Sequence, residues 1–286
     1  MGYLHIDNLY KNQTIMLFKE CYALEKIHGT SAHVGWKFAE KKINFFTGEN
    51  HQLFLSLFNE EFLIKKFEEI FPDQNVVIFG EHYGGKCQGM AHTYGKESKF
   101  IGFDVKVGDV WLNVPNAHDV CNQFDIEFVH YVKISTDLAH LETQRDEPSV
   151  QAVRNGITEL RKREGIVLRP LVEMRTNNGE RVIVKYKPEE FNETKTERKV
   201  TPEQLKILEN AKEIAEEWVT PMRLQHVLQK FPEDVNMESM GKIIKGMIED
   251  VYREGKDEIV ESKDVEKAIG KKTVLLFKQK LQSNIK

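Results

Sequence analysis

From residue 32 onward apolar and polar positions alternate. Ala32, Val34, Trp36 and Phe38 interleave with His33, Gly35 and Lys37, the period of a strand with one buried face. Between Asn50 and Phe71 the pattern changes to helical spacing, with Leu53, Phe54, Leu57, Phe58, Phe62, Phe67, Ile70 and Phe71 followed by Pro72, which predicts one amphipathic helix. Strands are then expected at Val76–Phe79, Phe100–Val107 and Val110–Val114, the last two joined across Gly108-Asp109 as a hairpin. A second hairpin is predicted from Ile166–Arg175 and Arg181–Lys187, because Asn178-Gly179 between them reaches positive φ at little cost. Beyond about residue 200 alternation gives way to helix starts: Thr201-Pro202-Glu203-Gln204, Thr220-Pro221, and Ser262 before Val265, Ile269, Val274, Leu275 and Phe277. Two domains follow, an α+β domain over residues 1–200 and an all-helical one over residues 201–286.

Composition narrows the class. The 286 residues are 40% hydrophobic and 30% charged, enough for a substantial core in a soluble protein. No apolar run is long enough to span a bilayer, and Met1–Ile6 lacks the blocks of a signal peptide, so a cytoplasmic protein is expected. Cys21, Cys87 and Cys121 are widely spaced and suit a reducing compartment. A net charge of −4 argues against coating nucleic acid through overall charge; basic clusters such as Lys41-Lys42, Lys185–Lys199 and Lys271-Lys272 matter only if they converge on one groove.

The candidate chemistry begins at Glu25-Lys26-Ile27-His28-Gly29. A lysine amine is a nucleophile when its surroundings favour the neutral form, and a nearby glycine admits close approach of a phosphate. Taken alone, the pattern reads as an exposed lysine before a turn. Downstream lie Phe79-Gly80-Glu81, Phe103-Asp104, Glu164-Gly165-Ile166-Val167-Leu168-Arg169 and Lys185-Tyr186-Lys187. Alternation puts Lys185 and Lys187 on one strand face. A competing signal is Gly80–Cys87, which has the spacing of a phosphate-binding P-loop but ends in Cys87 where a metal-binding hydroxyl is needed. A zinc site built on His82, Cys87 and His92 lacks a fourth ligand.

In this order the five segments resemble motifs I, III, IIIa, IV and V of the covalent nucleotidyltransferases, and particularly ATP-dependent RNA ligases of the RNA-ligase-2 type. His28 two residues after the lysine, and a helical tail in place of an oligonucleotide-binding barrel, favour that branch. The resemblance implies a nucleotidyltransferase fold of ATP-grasp-like antiparallel sheets with flanking helices, using ATP and Mg2+ or Mn2+. It implies that Lys26 forms a covalent lysyl-AMP, which passes to an RNA 5′-phosphate before a 3′-hydroxyl closes the joint. Lys185 and Lys187 would hold the α-phosphate, His28 would orient phosphate, and Glu164 would ligate the metal. Glu81 would bind the ribose, Phe103 would stack on adenine, and Glu25 and Ile27 would meet adenine through their backbones. RNA ends, nicked or single-stranded, are the implied partners of a monomeric enzyme. One departure stands out: such ligases usually carry an arginine just before a Thr-Gly-like turn, where this chain has Asn44-Phe45-Phe46-Thr47-Gly48, leaving Lys41 or Lys42 as substitutes. The alternatives are a P-loop kinase or ATPase and an inactive nucleic-acid-binding relative.

Overall fold

The computed structural model describes residues 2–196, 198–200, 207–231 and 235–283. They form two compact units, Met1–Pro188 and Glu189–Lys286. In the first, a short strand β1 (Asp7–Asn8) precedes β2 (Glu20–Glu25), β3 (Thr30–Lys37) and β4 (Lys42–Thr47). Helices α1 (His51–Leu55) and α2 (Glu60–Ile70) lead to β5 (Val76–Gly84), a single turn α3 (Ala91–Tyr94), and the hairpin β6 (Ser98–Val107) and β7 (Val110–Trp111). Helix α4 (Val114–Gln123), β8 (Tyr131–Ser135), α5 (Leu138–Asp146), α6 (Val150–Arg154), β9 (Ile166–Pro170) and β10 (Val184–Tyr186) complete the unit. The strands make two five-stranded sheets, ordered β1-β10-β9-β2-β8 and β4-β3-β5-β6-β7. Only β1 with β10 is parallel, so the first sheet is mixed and the second antiparallel. The architecture is the α+β one expected.

Strand alternation explains the core. Ala32, Val34 and Trp36 of β3 are buried, as are Ile78 and Val105. Against this face pack Leu63 and Phe67 of α2 and Val114, Ala117 and Cys121 of α4. Trp36 stacks on Phe67 with ring centroids 5.5 Å apart and planes 3° from parallel. The opposite face of β3 carries His33, whose ring meets Phe46 of β4 and Phe79 of β5. All three cysteines are buried and unpaired.

Three elements differ from the sequence pattern. The single helix expected over 50–71 is two, because Asn50 and Asn59 each accept a hydrogen bond from the amide three residues on and so start separate helices. The break lets Phe54 and Phe58 meet each other at 5.0 Å and Phe100 at 5.4 and 5.5 Å. Strand β7 stops at Trp111, since Asn113 caps α4 by accepting from Asn116 and Pro115 fits the first turn. The second hairpin turns at Thr176–Gly179 as predicted, but its strands are shorter. Between them the ladder thins to the Arg175–Arg181 bridge and the Val182 amide on the Met174 carbonyl, and side chains add to it: Arg169 and Arg181 both bind Glu173.

The same two arginines tie the sheets together. Asp104 of β6 is fully buried and accepts from Arg169 of β9 at 3.0 Å, from Arg181 at 2.7 Å and from the Tyr3 hydroxyl at 2.6 Å. The Arg181 guanidinium also lies 4.0 Å from the Trp111 ring centroid.

The second unit contains α7 (Ala211–Trp218), α8 (Pro221–Leu228), α9 (Met240–Glu254) and α10 (Lys263–Ser283) around Trp218, Leu224, Ile243, Met247, Val265 and Phe277. Thr220 caps α8 and Ser262 caps α10 through their hydroxyls, as their sequence positions suggest. The start signal at Thr201–Gln204 lies outside the described residues. No helix among the described residues is long and apolar enough to cross a membrane.

Removing the central acceptor would leave two buried guanidinium groups sharing the one carboxylate of Glu173. Asp104→Ala is therefore expected to lower unfolding free energy by about 3–5 kcal/mol in urea titrations. Lys37→Ala, which breaks only the exposed pair with Glu40, should change it by less than about 1 kcal/mol.

Candidate active site

Strand register brings the basic and acidic groups together. Glu25 at the end of β2 and Tyr186 at the end of β10 both pair with Ile166, the first residue of β9. Lys26, Glu164-Gly165 and Lys187 therefore emerge side by side at one end of three adjacent strands. The Lys26 amide donates to the Gly165 carbonyl at 3.0 Å, fixing the lysine against the turn. Gly165 has φ +142°, and a Cβ there would collide with the Tyr186 carbonyl, so only glycine lets β9 and β10 close at this point.

The Glu164 carboxylate bridges the two lysines, one oxygen 2.7 Å from Lys26 Nζ and the other 2.8 Å from Lys187 Nζ. Burial alone would raise its pKa, but Lys187, Lys26 and His28 outweigh that and hold it well below the usual carboxylate range. Glu164 is ionised at neutral pH. Lys185 lies two residues back along β10 and is buried, its backbone paired with Asn8 and Val167.

Glu81 approaches from the second sheet. Pairing with Ser31 places it beside the loop after Lys26, where its carboxylate accepts from the Gly29 amide at 3.1 Å. A Cβ on Gly29 would run into the His82 carbonyl and the Glu81 side chain, so glycine is required for this approach. Burial pushes the Glu81 carboxyl up to about 7; Lys26 pulls it down and Glu164 pushes it further up. His28 is buried beside them: its amide donates to the Tyr94 hydroxyl at 3.2 Å, and burial lowers its pKa despite Glu164, leaving the imidazole neutral at pH 7. Gln88 fastens the same loop by donating to the Gly29 carbonyl at 2.8 Å.

Other expected residues sit differently. The Glu25 carboxylate turns away to the start of α6, accepting from the Ser149 hydroxyl at 2.5 Å and the Val150 and Gln151 amides at 3.0 and 3.2 Å, while its own amide is taken by His130. Ile27 is buried in the core. Phe103 is half-buried, with the edge of Tyr3 4.9 Å away between ring centroids. Lys41 pairs with Glu68 at 2.9 Å, and Lys42 lies at the end of β4 opposite from Thr47, so neither replaces the missing arginine beside Phe46.

The P-loop alternative does not fit: residues through Gly84 are strand, paired with β6 as far as Ser98, and Cys87 is buried with its thiol donating to the His82 carbonyl at 3.3 Å. The zinc alternative fails too, because the His82 ring is engaged by Thr47 and Ser98 at 2.9 and 2.6 Å. Among the described residues Glu193, His226 and Asp250 of the second unit have metal-binding spacing, but Asp250 is occupied by Arg223 and Lys230 at 2.8 Å each and by Arg253.

Sequence reasoning missed the Asp104–Arg169–Arg181 cluster, the capping of α6 by Glu25, and the Tyr94 and Gln88 contacts. The available signal was two arginines flanked by apolar strand residues, which need a buried acceptor.

These two sheets, with lysines and a glutamate meeting at their ends, define a nucleotidyltransferase-like fold. The chain belongs to the RNA ligase family, whose model matches residues 19–187, more than half of its length. Solved structures of Naegleria gruberi RNA ligase are similar to it. An apo mutant gives a TM-score of 0.52, a mutant with ATP and Mn gives 0.50, and the protein with pyrophosphate gives 0.50. Each is 17% identical, with 67% of this chain and 57% of that one covered. At that identity the likeness establishes the fold, and the chain spans less than two thirds of those proteins. No curated protein sequence matches the chain.

The electrostatics of Glu81 give a measurable signature. Its folded pKa of about 7 exceeds the ordinary 4.5, so its stabilising effect is present below pH 4.5 and lost as pH rises through 7. Between pH 5 and 8 the protein should lose about 2 kcal/mol more unfolding free energy than Glu81→Gln, measured by urea titration at both pH values.

Proposed function

We propose that this protein is an ATP-dependent RNA ligase of the RNA-ligase-2 type, acting through a lysyl-AMP on Lys26. The observation that carries the reading is the Glu164 bridge between Lys26 and Lys187 in a chain of this family. Lys26 Nζ, once its ammonium proton has passed to solvent, attacks the α-phosphorus of ATP with the freed lone pair. The N–P bond forms as the bond to pyrophosphate breaks, and the second proton shed by nitrogen leaves with the pyrophosphate. Glu164, with its depressed pKa, is a weak base; it aims the Lys26 amine rather than taking its proton. Lys187 and Lys185 offer positive charge to the α-phosphate as negative charge builds in the transition state. Glu81 accepts from the ribose, Phe103 stacks on adenine, neutral His28 donates toward phosphate, and the backbone of Glu25 and Ile27 frames the base.

A divalent ion could be held by Glu164, an ionised hard-oxygen ligand, once one of the lysines now on its two oxygens turns to the ATP phosphates. Mg2+ or Mn2+ held there would supply charge neutralisation. The AMP then passes to an RNA 5′-phosphate, and attack by a 3′-hydroxyl releases it. We assign adenylation to residues 1–200 and engagement of the RNA ends to residues 201–286, in a monomer working in the cytoplasm.

Incubation with α-labelled ATP and Mg2+ should leave an acid-labile AMP adduct on the protein, absent in Lys26→Ala. Lys185→Ala and Glu164→Ala should each slow adduct formation at least about 100-fold, the scale of losing one transition-state contact. Release of γ-phosphate without an adduct would instead indicate a kinase or ATPase, and RNA retention with neither activity a binding protein. A chain ending near residue 200 should still form the adduct but fail to join RNA; normal sealing by that chain would refute the division of labour.

A further inference from the structure

One aromatic row takes part in this chemistry only at its Phe103 end. Phe46 is 39% exposed and lies parallel to His33, with ring centroids 5.1 Å apart and planes 16° from parallel. His33 meets Phe79 at 5.6 Å, Phe79 meets Tyr3 at 5.1 Å, and Tyr3 meets Phe103 at 4.9 Å. The row thus runs from Phe103 to an exposed end at Phe46. It lies on the Glu81 face: Ser31 pairs with Glu81 and His33 with Phe79, while Ala32 between them and Val34 after them are buried on the other face. Phe46 and Phe79 flank His33 on either side, and Glu81 lies two residues further along β5 than Phe79, so Phe46 and Glu81 share one sheet face roughly 12 Å apart.

The position is unusual chemically. It precedes Thr47-Gly48, where the ligases this chain resembles usually have an arginine, while Lys41 pairs with Glu68 and Lys42 lies at the other end of β4. Burial lowers the pKa of His33 to about 4, so the pair is uncharged at neutral pH. A neutral stack with one ring face covered by His33 offers the remainder of Phe46 to a flat apolar partner. Nucleobases stack on such rings irrespective of sequence.

We propose that Phe46, backed by His33, is a stacking platform for a nucleobase of the RNA strand being joined. This rests on the ligase reading above. With adenine on Phe103 and an RNA base on Phe46, the two ends of one aromatic row would hold AMP and RNA in fixed register. Phe46 acts on RNA binding and takes no part in forming the lysyl-AMP.

The test uses the full chain and 5′-phosphorylated RNA oligonucleotides. Phe46→Ala should still form the adduct but raise the KM for RNA about 5- to 100-fold, and Phe46→Trp should restore it. Single abasic substitutions along the RNA should reveal one position whose loss weakens wild-type binding by a similar factor. That substitution should have no further effect in Phe46→Ala, because both changes remove the same stack. Unchanged RNA binding in Phe46→Ala, or losses that multiply with every abasic position, would overturn the platform. Absence of the AMP adduct in the unmodified protein would instead overturn the ligase reading, and RNA-binding measurements on the same variants would still decide the platform.

Discussion

A single carboxylate placed between two lysines governs the site. Burying Glu164 without partners would be prohibitive, and burying Lys187 beside Lys26 without a counter-charge would be equally unfavourable. Together they form a compensated triad, with N–O distances of 2.7 and 2.8 Å. The triad exists only because β2, β9 and β10 end in common register at Ile166, and because Gly165 lets β10 pass close enough for Lys187 to reach. Backbone pairing is therefore the cause, and the charge constellation its consequence.

The second sheet must be held against the first for Glu81 to meet the Lys26 loop. Asp104 does this by receiving two guanidinium groups, from β9 and from the far arm of the hairpin. Breaking such a network by removing one member leaves uncompensated charge, which makes its geometry more rigid than an equally large apolar contact. Tyr3 adds its hydroxyl and ring, so the chain's third residue is built into the wall that carries Phe103. The position of the Phe103 ring thus depends on residues about seventy positions apart, in Arg169 and Arg181 as well as on its own strand.

Legibility in the sequence followed the range of the interaction. The strand at Ala32–Trp36, the turn at Asn178-Gly179 and the caps at Thr220 and Ser262 are decided by neighbours a few residues away, and all were readable. The helix break at Asn59 was carried by an equally local cap, but the apolar spacing of Phe54, Phe58 and Phe62 masked it. Lys26, Glu164 and Lys187 could be grouped only through the family pattern, since 138 positions separate Lys26 from Glu164. The turn of Glu25 toward Ser149 was not legible, because a carboxylate beside the lysine and one capping a distant helix look alike until tertiary contacts form.

The two carboxylates show how one pocket can prepare different chemistry. Glu164 and Glu81 are both buried, and both begin with the same desolvation pressure toward the neutral form. Glu164 touches two ammonium groups, so charge wins and it remains an anion. Glu81 touches only an amide and feels Lys26 from further away, so burial wins and its pKa rises to about 7. In the proposed reaction the anion can keep cations and metal in place through three phosphoryl transfers. Glu81, proposed to accept from the ribose, can change protonation near neutral pH as the charge of nucleotide and pyrophosphate enters and leaves. Separation of two like groups by their partners, rather than by their burial, is what divides those roles.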